Sequence, residues 1–352
     1  MNEILYLDSL RLDAVDHPAG VEVYPDERFA AGASPPTQKL LAFRSWYSPA
    51  SARDHRGRDV TATLKERDGQ FVDTFARRLW LGLAEEHTVE LDFGDQLETI
   101  PKDSNLFLVL SGWTDYAYPE TLFAATQAGV TPLAPTLEKK VGDGPWQPVG
   151  EIGFPAGLPR TMTSPVTGLA GSKRLKLRIR TNMHVFWDQI RLGVAESGEP
   201  NFQKMVVAKA TLARRGFAKE IRRGSGPAAY DDTTLERVAY TKWRGKLTKL
   251  GDVTELLTTT DDHFAILGPG DEVEVEFDAT LPPPPTGTVR SFVLRSHGYC
   301  KDSAPFTATT GDIHPLPYRA MASYPDGARD RSKAPNGQDE YDRTWNTRPV
   351  GR

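Results

Sequence analysis

The sequence predicts a mainly β protein, a β-sandwich followed by a second β-rich domain with one or two short helices. Three observations carry that prediction. Leu175, Leu177 and Ile179 alternate with Lys176, Arg178 and Arg180, the period-2 pattern of a sheet with one face buried and one wet. The 30 glycines and 27 prolines among 352 residues favour short strands and turns over long helices. Leu106–Leu110 is a continuous apolar run, as in a strand buried on both faces.

Taken in order, residues 1–35 read as N-terminal strands, Ile4–Ala14 and Val21–Tyr24, that could complete a sandwich. A Pro-rich linker, Ala30–Thr37, leads into the sandwich at 36–198. Its strands are Leu40–Arg44, Thr88–Phe93 and Leu106–Leu110. Thr136–Lys140 and Trp146–Val149 form a hairpin turned through Gly142-Asp143-Gly144. Asp59–Glu66 reads as a short helix, with Asp59 as its cap and Leu64 as its apolar contact. Arg174–Leu192 reads as two neighbouring strands broken at Thr181-Asn182. In the second, Val185 and Trp187 share a face; then the parity flips to Ile190 and Leu192, which marks a β-bulge. The same flip separates Leu5 and Leu7 from Leu10 and Leu12. Tyr6-Leu7-Asp8-Ser9-Leu10-Arg11-Leu12 thus parallels Phe186-Trp187-Asp188-Gln189-Ile190-Arg191-Leu192. Such a pair predicts two related sandwich edges, or one strand lent to a neighbouring sheet.

The second domain, 199–319, carries strands at Met205–Ala213, Phe264–Leu267, Glu272–Phe277 and Val289–Arg295. Leu235, Ala239, Trp243 and Leu247, spaced by four, predict a helix over 234–247. Asp252 caps a second short helix, Val253–Leu257. Residues 320–352 read as an extended polar tail, pinned over the surface or partly disordered.

Composition removes several function classes. A net charge of -4 offers no basic field for nucleic acid. No apolar run is long enough to span a bilayer, and no signal peptide is visible. Because the chain opens almost directly in a strand, it reads as a fragment or a subunit of a larger assembly. The single Cys300 excludes an internal disulfide framework and a cysteine zinc cluster. Walker, G-x-G-x-x-G, H-E-x-x-H and G-x-S-x-G motifs are absent. His297 lies three residues before Cys300, a spacing that does not set a Cys–His couple. Glu272, Glu274 and Glu276 alternate with Val273, Val275 and Phe277 as a solvated strand face. No cofactor is expected, although a structural Ca2+ is left open.

The most site-like stretch follows Leu110. There Trp113, Asp115, Tyr116 and Tyr118 occupy a loop bounded by Gly112 and Pro119. Aromatic faces beside a carboxylate suit a sugar ring, whose C–H faces stack and whose hydroxyls need acceptors. The competing reading has Trp113 plugging the end of the sandwich and the tyrosines covering its rim.

Several stretches fit one further pattern together. They are Asp16–Val23, Ala52-Arg53-Asp54 with Gly57–Val60, Gly153–Gly157, Arg180-Thr181-Asn182 with Trp187-Asp188, Gly251-Asp252-Val253 and Gly268–Glu272. In that order they resemble the C-terminal, non-propeller region of bacterial FG-GAP-repeat/ASPIC–UnbV proteins and related tetratricopeptide-repeat proteins. The resemblance covers most of residues 4–300. It implies a β-rich accessory module of a periplasmic or extracellular protein and supplies no catalytic residues. This chain has neither the propeller nor the helical repeats.

These readings converge on a galactose-binding-like or jelly-roll sandwich in a non-catalytic binding or scaffolding module, for carbohydrate or a protein partner. A glycan-active hydrolase using a carboxylate pair is the alternative. A third reading is a purely structural subunit.

Overall fold

The computed structural model describes residues 3–30, 36–115, 117–222, 224, 226–236, 242–307, 309–325 and 333–351. The chain divides into two compact units. The split unit takes Met1–Asp16, Phe202–Ile221 and Tyr230–Arg352; the inserted unit takes His17–Asn201 and Arg222–Ala229. Both are mainly β. The first strand, β1 (Glu3–Pro18), pairs with strands of the split unit.

The inserted unit holds β2 (Glu22–Pro25), β3 (Leu40–Tyr47), β4 (Ser51–Asp54), β5 (Leu83–Gly94) and β6 (Leu106–Asp115). After helix α1 (Pro119–Gln127) come β7 (Thr136–Val141), β8 (Gln147–Glu151), β9 (Arg160–Pro165) and β10 (Leu175–Ala195). Together they form one nine-stranded sheet that folds over itself around β10. Residues 175–183 of β10 pair with β5, and 175–180 also with β7; residues 184–194 pair with β6. The enclosed core includes Leu91, Phe93, Leu108, Leu110, Leu177, Trp187 and Ile190.

Thr181-Asn182 is therefore not a turn between two strands, as the sequence suggests; β10 runs through it for 21 residues. The polar pair is satisfied sideways. Thr181 Oγ1 donates to Leu133 O at 2.7 Å, and Asn182 Oδ1 accepts the Leu133 N–H at 2.7 Å. The predicted bulge is present, with the β10–β6 register slipping between Trp187 and Gln189. Asp59–Glu66 forms turns rather than a helix. Its landmarks hold even so: Asp59 Oδ1 caps the Thr61 N–H at 2.9 Å, and Leu64 is fully buried.

The split unit continues with β11 (Phe202–Arg214), β12 (Phe217–Ile221), β13 (Ala229–Glu236), β14 (Gly245–Leu247) and β15 (Gly251–Asp252). A 3-10 turn, Thr254–Leu257, precedes β16 (Ala265–Leu267), β17 (Asp271–Phe277) and β18 (Thr288–Asp302). Helix α2 (Gln338–Thr344) and β19 (Arg348–Val350) close it. Its main sheet has the order β15-β11-β1-β16, with β17 also on β11 and β18 also on β1.

Two expectations fail here. The helix over 234–247 is strand up to Glu236 and again from Gly245 to Leu247; residues 237–241 lie outside the described residues. Of its apolar positions among the described residues, Leu235 is exposed while Trp243 and Leu247 are buried. Nor is 320–352 a simple extended tail. Tyr341 and Trp345 join the core packing, and Arg348 grips the buried Asp271 carboxylate with Nη1 and Nη2 at 2.9 and 2.5 Å.

The two units share one motif. Asp59-Val60-Thr61, Leu64, Asp68 and Phe71 recur at identical spacing as Asp252-Val253-Thr254, Leu257, Asp261 and Phe264. Their hydrogen bonds recur too. Thr61 Oγ1 accepts the Ala52 N–H at 2.8 Å and Thr254 Oγ1 accepts the Ala210 N–H at 2.8 Å. The Val60 N–H reaches Ala52 O at 3.0 Å, and the Val253 N–H reaches Ala210 O at 2.9 Å. Ala52 then pairs with Leu91 of Val89-Glu90-Leu91-Asp92-Phe93, as Ala210 pairs with Val275 of Val273-Glu274-Val275-Glu276-Phe277. Asp188 on the β10 bulge accepts the N–H groups of Asp68 and Gly69, both at 3.2 Å; Asp8 on β1 accepts those of Asp261 and Asp262 at 3.1 and 2.9 Å. The turn so pinned is left-handed in both, with φ +79° at Gly69 and +69° at Asp262. Leu12 pairs with Met205 as Leu192 pairs with Tyr47, so β11 takes the places of β3 and β4 together, and β17, β18 and β1 correspond to β5, β6 and β10.

Candidate functional site

In the inserted unit, Ser111–Asp115 belongs to β6 and is not a loop. Trp113 lies opposite Phe186 of β10, and their rings stack at 4.5 Å with 10° between planes. Phe71 meets Trp113 edge-on at 6.4 Å. That indole is packed rather than displayed, which favours the plug over the sugar platform. Asp115 Oδ2 stands 3.8 Å from His184 Nδ1. Tyr118 is the N-cap residue of α1 and is exposed, while Tyr116 lies outside the described residues. Sequence reading missed α1, although Pro119 followed by Glu120 is a helix-start signal.

Behind the plug, Phe75 stacks on His87 at 4.3 Å and on His184 at 5.7 Å. Both imidazoles are buried beside carbonyls: His87 Nδ1 is 3.0 Å from Glu85 O, and His184 Nε2 is 2.8 Å from Leu83 O. Burial pulls His87 down to about 4. Its folded value lies below its unfolded one, so the neutral ring's contribution is complete above about pH 6.5 and is lost as pH falls toward 4. We expect acidification from pH 7 to 5 to cost about 2 kcal/mol through this residue. Urea unfolding midpoints should record it, and His87→Gln should flatten the slope; an unchanged slope would count against the assignment.

The split unit holds an open pocket of about 340 Å³ at the corresponding end of its sheet, within the size range of small-ligand sites. Asp8 of β1, the turn Thr260–Phe264, residues 297–299 of β18 and the segment 317–324 line it. Tyr299, at the position of Trp113, tilts against Tyr324 with centroids 5.3 Å apart, and Tyr318 and Phe264 add further rings. Asp262 stands at the position of Gly69. Its Oδ2 accepts the Arg319 N–H at 3.1 Å, and its Oδ1 lies 3.0 Å from Arg319 Nε. Burial raises the Asp8 carboxyl above the usual range, against the pull of its two backbone donors and of Arg319.

Lys301 secures the segment that leads into the pocket wall. Its Nζ donates to Ile313 O and Pro315 O, both at 2.8 Å, and lies over the rings of Tyr6 and Tyr324. Burial pulls this ammonium down to about 7, against carbonyls and ring faces that favour its charge. Cys300 is exposed at the surface, and partial desolvation and the Glu3 carboxylate, 3.3 Å from Sγ, push its thiol up to about 12. The glutamate face behaves as a solvated surface, with Glu272 paired to Arg215 and Glu276 to Lys209.

Among the described residues, no group of three or more His, Cys, Asp or Glu side chains is placed to hold a metal ion. No helix among them is long and apolar enough to cross a membrane. No family model, curated protein or solved structure matches the chain.

Proposed function

We propose that the chain is a binding module whose ligand, a carbohydrate, seats in the pocket of the split unit. One observation carries this reading. Asp262 holds a left-handed backbone, φ +69°, where the inserted unit uses Gly69. A non-glycine residue there costs about 1 kcal/mol, and such costs collect at ligand sites. What the substitution adds is a carboxylate on the wall of a pocket that also offers the rings of Tyr299, Tyr318 and Tyr324. Stacking faces with hydroxyl acceptors and an arginine are what a sugar ring requires. The resemblance to accessory regions of FG-GAP-repeat/ASPIC–UnbV proteins supports a binding role in a periplasmic or surface-exposed assembly.

A glycan hydrolase built on Asp8 and Asp262 is the weaker reading. Asp8 Oδ1 accepts two backbone N–H groups, as Asp188 pins the matching turn, so its placement is already accounted for.

A glycan array followed by calorimetry tests the proposal. The intact chain should bind at least one glycan class. Tyr299→Ala should weaken that binding at least tenfold. Asp262→Gly should weaken it as much while leaving the fold intact, because glycine suits the same turn. Failure of the intact chain to bind any glycan removes the reading.

A further inference from the structure

The strand orders of the two units differ in one respect. In the inserted unit the order is β4, pinned turn, β5, β6, β10. In the split unit it is β11, pinned turn, β17, β18, and the strand equivalent to β10 is β1, which comes first. Among the described residues after Asp302, no strand takes that place; β19 pairs with β14 instead. One unit is therefore a circular permutant of the other, displaced by a single strand. The covalent link between β1 and the rest of the split unit runs through the whole of residues 17–201.

We infer that the surface of the split unit formed by β11, β16 and β18 is a strand-acceptor site, and that its partner is the β1 strand of a second copy of this chain. The site recognises β1 by three separate means. Residues 11–15 pair with 202–206, and 5–7 pair with 265–267. Ile4, Tyr6 and Leu7 enter the core as apolar anchors. Two arginines of β18 meet two acids of β1: Arg290 Nε and Nη2 each lie 2.7 Å from the Asp16 carboxylate, and Arg295 Nε lies 2.6 Å from Asp13 Oδ2. None of these contacts depends on which chain supplies the strand. Exchange of an identical element is a low-cost route to a dimer, since it reuses contacts the single chain already makes. The exchanged strand also carries Asp8 into the pocket wall, so each pocket would draw one wall residue from the other copy. The inference rests on topology and pairing and is independent of the ligand's identity.

Full-length chains test it, with Cys300→Ser removing the native thiol. Leu12 and Met205 face each other across β1 and β11. One chain carries Leu12→Cys and the other Met205→Cys; the two are unfolded together, refolded at increasing concentration and oxidised. The expected result is a disulfide joining the two different chains in a dimer fraction that rises with concentration. In parallel, the intact chain is refolded with excess labelled peptide of residues 3–16. The peptide should co-elute with the chain, and a peptide carrying Tyr6→Ala and Asp8→Lys should not. The interchain link, with the wild-type peptide retained and the altered one not, supports the inference. Monomer without the link overturns it, whether or not the peptide is retained.

Discussion

Tyr6→Ala is expected to destabilise the split unit by about 3–5 kcal/mol, the range for losing a fully buried large aromatic side chain. Tyr6 has no exposed surface, and its ring packs edge-on to Phe264 at 5.9 Å and beneath the Lys301 ammonium. Its hydroxyl donates to Ile313 O at 2.5 Å, and Lys301 donates to that same carbonyl. The truncation opens a cavity and leaves the lysine one ring fewer to offset its burial. Tyr6→Phe separates these effects. It removes only the hydroxyl, and should cost about 1 kcal/mol because Lys301 still satisfies the carbonyl. Chemical denaturation gives the totals, and amide exchange gives their location. Protection should fall in β11, β16 and β18, with β5, β6 and β10 unaffected. Equal loss in both units would mean that β1 is not a split-unit strand.

Much of the fold was legible because a strand's period is local. The alternation in β5, β10 and β17, the hairpin of β7 and β8, and the bulge after Trp187 were all visible as residue patterns. What could not be read was pairing. Nothing local in Leu5–Leu12 distinguishes a strand that joins the next domain from one that joins residues 202–206 and 265–267. The parallel between 6–12 and 186–192 allows two related sandwich edges or a lent strand, and names no borrower. Asp59-Val60-Thr61 and Asp252-Val253-Thr254 both read as helix caps, yet with Leu64 and Leu257, Asp68 and Asp261, and Phe71 and Phe264 they spell one repeated turn. The helix over 234–247 went wrong for a related reason. Its spacing of four collected Leu235, which is exposed, with Trp243, which is buried.

The pattern singled out at Trp113 occurs in both units. An aromatic residue after a strand glycine, with an acid nearby, describes both Gly112-Trp113 and Gly298-Tyr299. In the inserted unit a second aromatic at Phe186 and a glycine at position 69 turn that pattern into a plug. In the split unit Asp262 replaces the glycine, and the segment 317–324 walls a cavity instead. No residue in the stretch 111–119 could announce this, because the difference lies in turns and segments distant in sequence.

The equivalence of Gly112 and Gly298 carries the second large prediction. A Cβ at Gly112 would sit 2.4 Å from Phe186 O; one at Gly298 would sit 2.5 Å from Tyr6 O. Neither glycine has a left-handed φ, so the backbone shape itself admits any residue and the obstacle is the neighbouring strand. That neighbour is a backbone carbonyl on the aromatic two residues before the bulge aspartate, which cannot swing aside as a side-chain tip could. Relief requires the paired strands to separate, at the cost of adjacent ladder hydrogen bonds and core contacts. Gly112→Val and Gly298→Val should each destabilise their own unit by about 3 kcal/mol or more, at the upper end of overpacking penalties. Amide exchange should show each loss confined to the unit that carries the substitution. If the two units are copies of one module, the penalties must match; a costly Gly112→Val beside a neutral Gly298→Val would mean that β1 does not approach β18 as β10 approaches β6, and the correspondence of the two strands would fail.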